Sequence, residues 1–98
     1  DLRKISALDA RGEIVTAPGK EVDFVSRFFG PACGVDEDPV TGSAHTTLVP
    51  FWSERLGRDT LSARQLSRRG GELFCRDKGV WTEISGSAVL YLEGQISI

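Results

Sequence analysis

The sequence predicts an α+β domain in which a mostly antiparallel sheet wraps around one central helix. Three observations carry that expectation. Short stretches of alternating apolar and polar residues recur between turn signals from Lys4 to Phe29, and again from Leu61 to the far end. Only one segment, Thr41 to Leu56, places apolar residues at helical spacing. The order along the chain is strands, one helix, then more strands.

The elements follow in turn. Lys4 to Asp9 and Glu13 to Ala17 read as short strands joined by the turn Ala10-Arg11-Gly12. Pro18-Gly19-Lys20 leads into a longer strand, Glu21 to Phe29. There Val22, Phe24, Ser26 and Phe28 share one face, and Asp23, Val25, Arg27 and Phe29 share the other. Apolar residues on both faces predict at least partial cover on both. Gly30 to Pro39 reads as a loop. In the helix Ala44, Leu48, Phe51, Trp52 and Leu56 form one stripe, and Gly57 is its natural stop. Phe51 and Trp52 are expected to pack between helix and sheet. Pro50 removes a backbone donor, which predicts a kink near His45 to Leu48 or a helix restarting at Pro50. Leu61 to Ser67, Glu72 to Arg76, Val80 to Ser85 and Ser87 to Glu93 read as strands, with Gln95 to Ile98 a candidate last one. Trp81, out of phase with Val80, Thr82 and Ile84, is expected on the opposite face of the sheet.

Composition narrows the function classes. With 98 residues, 40% apolar and 27% charged, the chain fits one ordinary soluble domain. Twelve basic residues against 14 acidic ones remove the electrostatic reason to expect nucleic acid. No apolar run approaches the roughly 20 residues a bilayer span needs, so no membrane association is expected. The start, Asp1-Leu2-Arg3-Lys4, is charged and does not read as a signal peptide. Cys33 and Cys75 form no C-x-x-C pair, and with a single histidine they cannot complete a zinc site. A cytoplasmic, reducing setting is the default for such cysteine usage. The chain has no methionine, position 1 included, as in a processed chain or a piece of something longer.

One stretch differs from its surroundings. Asp36 to His45 packs three carboxylates, a proline, a Thr-Gly-Ser run and the only histidine into a helix start. The first turn of a helix leaves backbone N–H groups unpaired, and the helix dipole adds partial positive charge there. Gly42 allows a ligand close to the backbone, and the Thr41 and Ser43 hydroxyls can add hydrogen bonds, so a small anion fits the chemistry. A nearby aspartate can take part in acid–base work. The same residues also make an ordinary N-cap and an Asp-Pro turn. On the residues alone both readings stand.

Five ordered blocks add to this. Phe24-Val25-Ser26-Arg27-Phe28-Phe29 is followed by Glu37-Asp38-Pro39-Val40-Thr41-Gly42-Ser43-Ala44-His45. Pro50 to Gly57 and Gln65 to Gly71 come next, and Ile84 to Val89 closes the set. Together they resemble the PhzF-like (phenazine biosynthesis) isomerase and epimerase family, over most of the chain from about Asp23 onward. The resemblance implies one lobe, the C-terminal one, of a diaminopimelate-epimerase-like fold, treated as a single domain over residues 1–98. It also implies a cofactor-independent proton shift on a small carboxylic acid. In family terms Asp38 is the catalytic candidate, with Thr41, Gly42, Ser43 and His45 as substrate-binding candidates. Asp38 stands where related epimerases carry a cysteine, so Cys33 is not taken as a nucleophile. His45 reads alternatively as a residue packed against a neighbouring strand.

The first lobe of the family would supply a glutamate base, and no acid here sits in a matching context. Asp36 and Glu37 are near by sequence only. The chain is therefore expected to hold half an active site, completed by a missing first lobe or by homodimerisation. The alternative is a non-catalytic module that binds small carboxylates or a partner.

Overall fold

Alternation along Phe24–Gly30 turns Phe24 and Ser26 into the core, and this strand organises the sheet. The computed structural model describes residues 1–98. Its elements are α1 (Leu2–Ser6), β1 (Glu13–Pro18), β2 (Phe24–Gly30), a 3₁₀ turn at Pro31–Cys33, β3 (Val35–Asp38), α2 (Gly42–Leu56), β4 (Thr60–Gln65), β5 (Gly71–Lys78) and β6 (Trp81–Ser85). The six strands form one sheet in the order β1-β2-β4-β5-β6, with β3 also on β2. All pairings are antiparallel except β2 with β4, which run parallel because α2 carries the chain between them. The predicted α+β class, a largely antiparallel sheet around one long helix, is the observed one. No helix is long and apolar enough to cross a membrane.

Strand β2 explains where the helix start sits. It pairs with β1 over six residues, from Glu13 opposite Phe29 to Pro18 opposite Phe24. Its other edge is shared: Phe24 to Ser26 pair with Ala63 to Gln65 of β4, while Phe28 and Gly30 pair with Asp38 and Val35 of β3. Thus β3 takes up the edge where β4 leaves it. The end of β4 and the end of β3 meet there, and α2 begins beside them. Asp23 fastens the other end of this seam: its carboxylate accepts the Ser62 N–H at 2.7 Å and pairs with Arg58.

The core comprises Phe24, Leu61, Ala63, Leu73 and Cys75 from the sheet, packed against Ala44, Leu48, Val49 and Trp52 of α2. Phe24 stacks on Trp52 with ring centroids 5.7 Å apart. The Trp52 indole N–H donates to Thr16 Oγ1 at 2.9 Å, tying helix to β1. Burial lifts the Cys75 thiol to about 11, so it is a core side chain without nucleophilic character.

Several expectations are corrected. Lys4 to Asp9 is not a strand. Asp1 accepts the Arg3 N–H at 3.0 Å and caps the short helix α1. Gly30 to Pro39 is not all loop, because β3 forms on the free edge of β2. The buried stripe of α2 is rotated from the predicted one: His45, Val49 and Ser53 are buried, while Leu56 is exposed and Phe51 is 46% exposed. Phe51 instead lies edge-on to Trp52 beneath Arg55. The helix runs through Pro50 as one element, without restarting there. Ser87 to Glu93 and Gln95 to Ile98 form no strands and leave the free edges of β1 and β6 unpaired. Val89, Leu90, Tyr91, Leu92, Ile96 and Ile98 are left exposed. Trp81 is exposed at the sheet's rim, as its phase predicts.

Candidate functional site

Gln65 ends β4 with its side chain on the same inward face as Leu61 and Ala63, and it is 1% exposed. A buried amide needs partners. Its Oε1 accepts the Thr41 N–H at 2.7 Å. Its Nε2 donates to the Asp38 carbonyl at 2.8 Å and to Thr41 Oγ1 at 3.0 Å. The Thr41 hydroxyl donates a hydrogen bond to Asp38 Oδ2 at 2.5 Å. One buried amide therefore fixes the backbone on both sides of the Asp38-Pro39-Val40-Thr41 turn and orients the carboxylate. The other carboxylate oxygen, Oδ1, makes no hydrogen bond within the chain.

Thr41 is the N-cap of α2, yet its side chain does not cap the helix, because the hydroxyl is engaged with Asp38 and Gln65. The Gly42, Ser43 and Ala44 N–H groups at the first turn have no acceptor in the chain. Asp38, Thr41, Ser43 and Ala44 line one cavity of about 590 Å³, which Ile14 and Phe28 close from the sheet side. A carboxylate, a hydroxyl and unpaired helix-start amides thus converge on one space walled by apolar side chains. That arrangement can hold a small anion and exchange a proton with it.

The other predicted residues fall as follows. Gly42 is exposed beside this start and does not line the cavity; a Cβ there would meet nothing within 4 Å. His45 lies in the core, fully buried next to Phe24 at 5.9 Å between ring centroids, and is not a cavity residue. Its Nδ1 stands 2.7 Å from the Thr41 carbonyl, so the ring carries its proton there, and Nε2 has no partner. Asp36 and Glu37 face a separate hollow with Arg68 and Arg69. Glu37 is held by two hydrogen bonds from Arg27, of 2.8 and 3.0 Å, which keep its carboxyl below the usual range. No group of three or more His, Cys, Asp or Glu side chains gathers in a metal-binding cluster. Gln65 itself was not singled out by residue type or spacing. Its signal was a polar residue in phase with the inward Leu61 and Ala63.

His45 makes a pH prediction. Desolvation lowers the ring's pKa from its ordinary value near 6.5, and the Thr41 carbonyl only partly opposes this. The folded ring stays neutral at a pH where the unfolded chain binds a proton. Stability is then complete above about 6.5 and falls as the pH drops below it, by up to about 1.4 kcal/mol per unit. Urea unfolding at pH 7.5 and 5.5 checks this, and His45 is the chain's only histidine. Equal stability at both values would contradict it.

Comparison with known proteins gives one consistent picture. The family described as phenazine biosynthesis-like protein matches residues 2–94. An uncharacterized isomerase of Pseudomonas aeruginosa is 55% identical over 98 residues, covering 100% of this chain and 38% of the relative. The mouse phenazine biosynthesis-like domain-containing protein 2 is 50% identical over 95 residues, covering 89% of this chain and 33% of its own length. A PhzF-family crystal structure from Enterococcus faecalis superposes with a TM-score of 0.79 at 46% identity, covering 92% of this chain and 38% of that one. A PhzC/PhzF protein from Clostridium difficile gives 0.81 at 50% identity, covering 99% and 37%. The chain therefore spans little more than a third of the length of these relatives.

Proposed function

The chain belongs to the phenazine biosynthesis-like family, and from that premise we propose that it is the C-terminal lobe of a cofactor-independent isomerase acting on a small carboxylic acid. The observation that carries this reading is the convergence of Asp38, oriented through Thr41 and Gln65, with the unpaired amides of the α2 start in one cavity. The substrate carboxylate takes the Ser43 and Ala44 N–H groups and the Ser43 hydroxyl. Asp38 Oδ2 is occupied by Thr41, so Oδ1 is the atom that exchanges the proton. Inversion at the reacting carbon needs an acid and a base on its opposite faces. Asp38 supplies one, and a carboxylate outside this chain, on a first lobe or a second copy, supplies the other. The exposed apolar residues of 89–98 support a further surface packing here. His45 serves this site from below, by fixing the Thr41 carbonyl.

Titration with propionate, followed by amide resonances, tests the binding half. The Gly42, Ser43 and Ala44 signals are expected to move most, and unmoved signals at all three would refute the site. Gly42→Ala separates ligand from fold. Its φ is not positive and no side chain crowds it, so the variant is expected to fold with equal or up to about 1 kcal/mol greater stability. Propionate binding is expected to weaken severalfold in the same variant. Undiminished binding would mean that Gly42 is ordinary helix sequence. Binding without any proton exchange once the cleft is complete would favour a non-catalytic carboxylate-binding module.

A further inference from the structure

Arg11 lies in the turn before β1 and lines the same cavity as Asp38 and Ser43. These two, Arg11 and Asp38, are the only charged residues lining it, and they are not within ion-pair distance of each other. Four cations beside the sheet are paired: Arg27 with Glu37, Arg58 with Asp23, Arg64 with Glu72, and Lys78 with Glu83. Even the Arg68–Arg69 hollow contains its own acids, Asp36 and Glu37. Arg11 has no carboxylate partner.

Its backbone is held in place. The Arg11 carbonyl accepts the Cys33 thiol at 3.4 Å. At the next residue, Gly12, a Cβ would fall 2.5 Å from Phe28 Cζ and 2.7 Å from the Phe29 carbonyl, so the turn sits directly on β2. This turn is therefore seated against the strand that walls the cavity.

We propose that Arg11 is a specificity-determining residue that binds a second acidic group, so that the site selects small dicarboxylic acids over monocarboxylic ones. The proposal rests on the reading of the α2 start as the place of the first carboxylate. A guanidinium takes a carboxylate through two parallel N–H bonds, which gives direction as well as charge. Asp38 repels a dianion unless its far charge is neutralised, and Arg11 is the lining group able to do so.

Amide-detected titrations of the chain with butyrate and glutarate, acids that differ by one carboxylate, test this. Glutarate is expected to bind about fivefold more tightly than butyrate, the scale of an exposed ion pair. Arg11→Gln is expected to abolish that preference while leaving butyrate affinity within about twofold, and Arg11→Lys is expected to keep part of it. If butyrate moves the Ser43 amide but glutarate has no advantage, or keeps it in Arg11→Gln, the role of Arg11 is overturned and the carboxylate site stands. If neither acid moves Ser43 in the unaltered chain, both fall.

Discussion

Asp38→Asn is expected to lower proton exchange by about 10²- to 10⁴-fold in an enzyme whose first lobe is present. A suitable host is a chimera in which these 98 residues replace the matching 38% of the Pseudomonas aeruginosa relative. Asparagine preserves the shape and still accepts the Thr41 hydroxyl, so fold and turn geometry are retained. What disappears is the oxygen that can carry a proton. Propionate affinity, set by the α2 amides, is expected to stay within about threefold or to improve as a negative charge is removed. Turnover within tenfold of the unaltered chimera would remove Asp38 from the chemistry.

The second large effect falls on a residue that touches no ligand. Gln65→Leu is close to isosteric but leaves the Thr41 N–H and the Asp38 carbonyl buried without partners. Each such loss costs about 1–3 kcal/mol, so the variant is expected to be about 2–5 kcal/mol less stable in urea unfolding. Gln65→Glu keeps the acceptor for Thr41 N–H but buries a carboxylate oxygen against the Asp38 carbonyl, and is expected to be at least as destabilised as Gln65→Leu. Because the same amide donates to Thr41 Oγ1, both variants also release the Asp38 carboxylate from its orientation. A Gln65→Leu protein within about 0.5 kcal/mol of the original would show that the turn is held by other contacts.

What was legible in the sequence was mostly what is local. The α2 start could be read directly because Asp38, Thr41, Gly42 and Ser43 are neighbours along the chain, and a helix start exposes its amides whatever surrounds it. Alternation in β2, β4 and β5 translates into burial because those strands cover the core on one face. Pairing partners are another matter. The acidic run before Pro39 has poor strand propensity, yet it becomes β3 because β2 outruns β4 and leaves backbone groups to satisfy. Residues 87–98 have good strand propensity yet pair with neither free edge of the sheet, that of β1 or that of β6. Gln65 acts on Thr41 from 24 positions away, a link no spacing rule reveals. His45 was ambiguous for a related reason. It falls on the face of α2 that also carries Val49 and Trp52, one helix face away from the cavity.

The most direct test of Asp38 chemistry in a completed cleft is solvent deuterium incorporation by that chimera. In D₂O it would be offered a panel of small 2-amino, 2-hydroxy and unsaturated mono- and dicarboxylic acids, with the unaltered relative run alongside and mass spectrometry as the readout. The predicted result is one deuterium gained at the reacting carbon of an acid that the relative also labels, with the gain lost in Asp38→Asn. Labelling by the relative but none by the chimera, or equal labelling by the chimera and its Asp38→Asn variant, would contradict it.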